Sequence, residues 1–151
     1  MKVTVLLRND HEAQKALFDK FKKISTARSQ TGKRELVDEI RRELLLHSQM
    51  EQEIFYPALA GTPSGRAVEL VSVAEEEHRA IEKLLQELSV NGSDKVLESK
   101  MNQLIDSVLQ HIEKEEEEIF DEARKNLPEF RLEELGLEME DRRKILLTLA
   151  A

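Results

Sequence analysis

Four long stretches of the sequence place apolar residues at alternating steps of three and four, and this repeat constrains the fold more than any other feature. The predicted helices span about 9–24, 35–56, 63–89 and 94–126. Breaks of a few polar, Gly or Pro residues separate them. Because such short connections join antiparallel neighbours, the sequence predicts an all-α, up-down-up-down four-helix bundle.

A C-terminal segment over about 129–151 carries further apolar residues on both sides of Gly136. Its spacing predicts one or two short amphipathic helices, interrupted at Gly136, that cover one end of the bundle or form a dimer contact. With 151 residues and 40% hydrophobic content, the chain fits one core, and we predict one domain over 1–151.

Charge and residue content exclude several classes of partner and site. A net charge of −8 provides no positive field for phosphates or anionic lipids, so neither nucleic acid nor a membrane is expected to bind. No stretch approaches the roughly 20 apolar residues of a membrane span, and the first ten residues lack a signal-like core. A cytoplasmic monomer or homodimer is expected. Because the chain has no Cys, any metal must be held by His and carboxylates.

Each of the four predicted bundle helices carries one of the four histidines on its apolar face: His11, His47, His78 and His111. The second and fourth helices add Glu51 and Glu115, each four residues after a histidine. This spacing places an imidazole and a carboxylate side by side, facing the core. A lone His on such a face is usually a packed core residue, and a lone His-x-x-x-Glu is usually an exposed pair. Their repetition on matching faces indicates one shared site.

The two carboxylates make a metal site the favoured interpretation. Burying two ionised glutamates without compensation costs several kcal/mol each, and neither Lys nor Arg lies on these faces. Two divalent ions would be nearly balanced by two glutamates and one bridging hydroxide, which favours two metals over one. Imidazole with carboxylate ligation suits iron first, with manganese or zinc as alternatives.

One length comparison conflicts with this arrangement. Measured from the turn near Gly92, His78 lies 14 residues before it and His111 lies 19 after it. The difference of five residues corresponds to about 7 Å of helix rise. Tilted helices or an irregular start to the fourth helix are needed to bring the two histidines level.

The motifs resemble those of the hemerythrin-like, or HHE cation-binding, family. They are Asp10-His11-Glu12, His47-x-x-x-Glu51, Glu77-His78 and His111-x-x-x-Glu115-Glu116, and together they span nearly the whole chain. The resemblance implies a non-haem di-iron site with an oxo or hydroxo bridge and both carboxylates bridging. The implied ligands are His11, His47, Glu51, His78, His111 and Glu115.

Some positions depart from the oxygen-carrying members of that family. Carriers add a fifth histidine four residues before the one on the third helix, where this chain has Ala74. The resulting gap is left to water or an exogenous ligand, or is filled by Glu75. The last carboxylate of the carriers corresponds to Glu116, whereas the helical spacing favours Glu115. Tyr56 is expected to pack at a helix end with an exposed hydroxyl.

Three functions remain open at this point. The first is a di-iron protein that interacts with dioxygen, peroxide or nitric oxide as a sensor, scavenger or stress-response factor. The second is a peroxide-consuming di-iron oxidoreductase. The third is a protein-interaction module that the metal stabilises.

Overall fold

The computed structural model describes residues 1–27, 31–88 and 93–150, and it confirms the all-α bundle. Within these ranges the chain forms helices and no strand. The helices are α1 (Val3–Thr26), α2 (Lys33–Met50), α3 (Tyr56–Ala60), α4 (Gly65–Leu88), α5 (Asp94–Lys114), α6 (Phe120–Asn126) and α7 (Glu129–Ala150). None of the described helices is both long enough and apolar enough to cross a membrane.

The apolar core divides into two clusters along the bundle. A proximal cluster includes residues of α3, the start of α1 and the first half of α7, and a distal cluster includes Phe18, Phe21, Leu44 and Leu104. On α1, α2 and α4 the histidine separates buried residues of one cluster from those of the other, and on α5 His111 lies at the end of the distal cluster, beside Ile112. The four histidines therefore lie in one polar layer between two apolar layers.

Two π-helical turns interrupt otherwise continuous helices, and each begins at one of the two glutamates. Glu51–Phe55 joins α2 to α3, and Glu115–Ile119 joins α5 to α6. The second predicted helix was expected to stop before Pro57, but it continues to Ala60. Pro57 is tolerated because it lies in the first turn of α3, directly after the π-turn, where a missing N–H disturbs few helical bonds.

The first helix begins earlier than the sequence predicted. Asn9 was expected to cap it, but α1 starts at Val3, and Asn9 lies inside it. The reason is burial: Val3 and Leu7 are fully buried and Leu6 nearly so, which continues the apolar face of the helix to its first turn. His11 consequently lies two turns inside a regular helix.

The height mismatch predicted for the second pair of histidines does not occur, because the Nε2 atoms of His78 and His111 are 3.1 Å apart. Near the end of α4, Glu87 pairs with Lys100, which lies well inside α5. The residues of α5 before Lys100 extend beyond the end of α4, and in this overhang Asp94 and Glu98 contact the start of α2. The overhang accounts for the difference of five residues between the two sides of the turn. The turn at 89–92 lies outside the described residues.

The C-terminal segment forms one helix, not the one or two short helices that were predicted. Gly136 does not interrupt α7; a Cβ there would lie 1.9 Å from the carbonyl oxygen of Met1. The glycine therefore permits the N-terminus to approach the backbone of α7. The helix contacts α1 and α2 and contributes Leu132, Leu135 and Met139 to the proximal cluster.

We predict that Gly136→Ala destabilises the protein by about 1–3 kcal/mol, because the new methyl group displaces the backbone of Met1 and Lys2. Thermal unfolding measures the change. Gly65→Ala is the matched control, since a Cβ on Gly65 meets no atom within 4 Å. Equal melting temperatures for the two variants would contradict the close approach of the N-terminus to α7.

Candidate metal centre

Six side chains converge in the polar layer between the two clusters. They are His11 from α1, His47 from α2, Glu51 and Glu115 from the two π-turns, His78 from α4 and His111 from α5. Both glutamates are completely buried, and none of the four histidines is more than 5% exposed. The structure thus brings together all six residues that the sequence singled out.

Among the described residues, these side chains form two groups able to hold a metal ion, and both groups contain Glu51 and Glu115. The first group adds His11 and His47, and the second adds His78 and His111. In each group the four ligand atoms lie within 4.8 Å of one another. The carboxylates are therefore shared between two neighbouring positions, as a dinuclear centre requires.

Glu115 spans the two groups with separate oxygens. Its Oε1 lies 3.1 Å from His11 Nε2, and its Oε2 lies 3.3 Å from His111 Nε2. Glu51 spans them differently, because its Oε1 lies 3.2 Å from His47 Nε2 and 3.1 Å from His78 Nε2. Each carboxylate thus lies next to one imidazole of the first group and one imidazole of the second.

Several of these atoms lack hydrogen bonds within the described part of the chain although they are buried. They are Nε2 of His11, Nε2 of His47, both oxygens of Glu51 and Oε1 of Glu115. Buried polar atoms without partners are rare and call for an explanation such as an ion. A six-coordinate ion about 2.1 Å from its ligands separates adjacent ligand atoms by about 3.0 Å. The separations of 3.1–3.3 Å agree with that value. The residues therefore fit a pair of metal ions.

The outer nitrogen of each histidine has its own hydrogen-bond partner. Nδ1 donates to Glu116 from His11 (2.7 Å), to Asp10 from His47 (2.9 Å) and to Glu77 from His111 (3.0 Å), and Nδ1 of His78 lies 2.9 Å from Ser48 Oγ and 3.1 Å from Gln52 Nε2. Such partners orient an imidazole and direct its other nitrogen to the metal. All four Nε2 atoms consequently face the interior.

The C-terminal helix is connected to this network through one arginine. Arg143 of α7 donates to the same carboxylate oxygen of Asp10 that accepts from His47. Arg143 also lies 3.7 Å from Glu43 on α2. A segment outside the four-helix bundle therefore fixes the position of a group that orients His47.

Tyr56 is a site residue that the sequence analysis missed. Its hydroxyl was expected to be exposed, but the residue is 1% exposed and donates to Glu115. The same hydroxyl lies 3.1 Å from His78 Nε2 and 3.5 Å from His111 Nε2. The π-turn explains the error, because its extra residue rotates Tyr56 to the face where an α-helix would place the preceding residue. A π-turn has no clear sequence signal.

The structure distinguishes the acidic residues that the sequence left open as metal ligands. Glu115 is completely buried in the cluster, whereas Glu116 is partly exposed and binds the outer nitrogen of His11. Glu75 is exposed and belongs to neither group. Ala74, at the position of the carriers' fifth histidine, is fully buried in the proximal cluster.

Without bound metal, the charge of each buried side chain in the centre depends on its charged neighbours. Burial disfavours a charged imidazole, but the carboxylates of Glu51 and Asp10 outweigh it and raise the pKa of His47 to about 10. The pKa of His111 also lies well above its usual range, because Glu115 outweighs burial. Burial disfavours the charged form of Glu51, yet His47 and His111 hold its pKa well below the usual range. Burial and the charge of Glu115 raise the pKa of Tyr56, which therefore stays protonated.

Comparison with known proteins gives a consistent result. Residues 3–123 match the family model described as Hemerythrin HHE cation binding domain, as the motifs had indicated. A crystal structure of a Hemerythrin HHE cation binding domain-containing protein from Mycobacterium kansasii superposes with a TM-score of 0.77 at 28% identity. The match covers 95% of this chain and 86% of that one. No curated protein sequence gives a significant match.

We predict that metal uptake at pH 7 releases about two protons per chain, one each from His47 and His111, because a metal ligand must be a neutral imidazole. Affinity should rise with pH until these groups are neutral. Without metal, the stability that His47 contributes is complete below pH 6.5 and is lost as pH rises through about 10. Calorimetric titration in buffers of different ionisation enthalpy counts the protons. Uptake without proton release would contradict these charge states.

We also predict that Arg143→Met lowers metal affinity by up to about tenfold, because Asp10 then orients His47 less firmly. Arg142→Met is the matched control, since Arg142 pairs with Glu53 at the surface. Competition with a chelator of known affinity measures both variants. Indistinguishable affinities for the two variants would show that α7 does not support the centre.

Proposed function

Because this chain belongs to the hemerythrin HHE cation-binding domain family, we propose that it holds two iron ions and interacts with dioxygen, peroxide or nitric oxide as a sensor, scavenger or stress-response factor. The observation that carries the proposal is the pair of buried four-ligand groups that share Glu51 and Glu115. Four imidazoles and two carboxylates, without sulfur, form a ligand set that suits iron.

In this proposal the six residues act as ligands and the surrounding residues maintain their geometry. His11 and His47 would hold one ion and His78 and His111 the other, and both groups would share Glu51 and Glu115. Iron bound there would supply one-electron and two-electron redox chemistry. The chain supplies orientation, through the Nδ1 partners of the histidines, and exclusion of bulk water, through the apolar layers on either side.

The size of the cavity beside the centre favours a small ligand. The cavity bordering the centre has a volume of about 20 Å³, which accommodates one water-sized or diatomic molecule. Apolar side chains, including Leu44, Ile81 and Val108, form much of its wall. The four histidines and Glu51 also line it, so the cavity adjoins the proposed ions and is too small for an organic substrate of ordinary size, which favours dioxygen, peroxide or nitric oxide as the ligand.

A second candidate function, consumption of peroxide, is favoured by Tyr56. Cleavage of an oxygen–oxygen bond needs a proton donor near the metals, and the Tyr56 hydroxyl is a buried, protonated group beside His78 and Glu115. This hydroxyl approaches one half of the centre only. Tyr56 does not line the small cavity, so this second function requires peroxide to bind on the Tyr56 side of the centre.

We expect iron-loaded, reduced protein to change its visible spectrum when it is mixed anaerobically with nitric oxide or hydrogen peroxide. His47→Ala removes a ligand from the first group and should abolish both changes. Glu75→Ala is the matched control, because Glu75 is exposed and outside both groups, and it should behave as wild type. A wild-type protein that retains iron but responds to neither molecule would refute the proposed function.

The Tyr56→Phe variant, tested with nitric oxide and with hydrogen peroxide, distinguishes the two candidate functions. If Tyr56 delivers protons, this variant should bind nitric oxide normally but consume peroxide at least about 100-fold more slowly than wild type. The rate of oxygen evolution or peroxide loss measures the effect. Unchanged peroxide consumption would exclude Tyr56 as the proton donor, and no consumption by wild type would leave the sensing or scavenging function.

A further inference from the structure

A buried glutamine faces the small cavity beside the six ligands. Gln14 lies on α1 one turn after His11 and is 2% exposed. It lines the cavity together with the four histidines and Glu51. Its carboxamide nitrogen has no hydrogen-bond partner among the described residues. A strong donor is therefore held against the cavity without an acceptor.

The rest of the cavity wall does not satisfy this donor. Away from the ligands the wall consists largely of aliphatic side chains, among them Leu44, Ile81, Val108 and Ile112. A glutamine at this position costs free energy, because burial removes water from the amide and nothing replaces it. Neighbouring core positions on α1, Phe18 and Phe21, are apolar. An aliphatic residue at position 14 would therefore stabilise the empty fold better than glutamine does.

We propose that Gln14 is the hydrogen-bond donor for the small exogenous ligand that occupies this cavity. The inference rests on the proposed function and adds the residue that recognises the ligand. A donor in an otherwise apolar cavity favours a molecule of one or two non-hydrogen atoms that carries an acceptor lone pair, which is the chemistry of dioxygen, peroxide and nitric oxide. The six metal-binding residues set where the small molecule binds, and Gln14 sets how slowly it dissociates.

A purely structural glutamine would behave differently. If the amide of Gln14 served the packing of the fold through a hydrogen bond, its replacement by an apolar residue of similar size would weaken the fold with or without metal. If Gln14 serves the ligand, the same replacement should leave the metal-free protein equally stable or more stable, because an unpaired buried donor is removed. Only ligand binding should then deteriorate.

The test uses Gln14→Leu, with Gln103→Leu at an exposed position of α5 as the matched control. The first measurement is thermal unfolding of the metal-free proteins. We expect Gln14→Leu to melt at the wild-type temperature or above it. A clearly lower melting temperature, with the control unchanged, would assign Gln14 to packing and overturn the inference.

The second measurement uses nitric oxide as the probe on iron-loaded, reduced protein. We expect Gln14→Leu to release nitric oxide about tenfold faster than wild type, the effect of losing one hydrogen bond of about 1.4 kcal/mol. The N–O stretching frequency should shift in this variant and remain unchanged in Gln103→Leu. An unchanged release rate together with an unchanged frequency would overturn the inference.

Iron content is measured on the same samples, so that an error in the role of Gln14 can be distinguished from an error in the proposed function. If wild type retains iron and binds nitric oxide but Gln14→Leu matches it, only the role of Gln14 is wrong. If wild type fails to retain iron or fails to bind nitric oxide, the proposed function itself is wrong, and the inference falls with it.

Discussion

Two completely buried glutamates lie among four imidazoles, and the rest of the structure depends on how their charge is compensated. Among the described residues, the ion pairs of Glu51 and Glu115 are all with histidines, so histidine protons or metal ions must supply the positive charge. In the metal-free protein His47 and His111 carry that charge. Metal binding therefore exchanges protons for ions within a geometry that the helices already hold, and the centre is coupled both to pH and to folding.

The two sides of the polar layer are chemically distinct. Tyr56 belongs to the proximal cluster and places a hydroxyl beside His78 and His111. The small cavity borders residues of the distal cluster and contains the unpaired amide of Gln14. One side thus carries a buried hydroxyl and the other a small cavity. The π-turn at Glu51–Phe55 makes this possible, because it returns Tyr56, five residues after Glu51, to the interior.

The sequence predicted the bundle and the convergence of its six polar core residues because both follow from helical periodicity. It did not predict Tyr56 in the site, since an α-helical count places that residue off the core face. Gly136 was misread because a glycine that breaks a helix and one that admits a neighbouring backbone look the same in sequence. The level positions of His78 and His111 depend on the overhang of α5, a tertiary feature that residue counting does not contain.

The central claim is that Glu51 and Glu115 are shared by two metal ions, and anomalous diffraction from crystals of iron-loaded protein tests it most directly. We expect two peaks at the iron absorption edge, one beside His11 and His47 and the other beside His78 and His111, with both carboxylates in contact with each. Two-metal centres of this kind have separations of about 3.5–4 Å. A single peak, or two peaks that do not share the glutamates, would contradict the account.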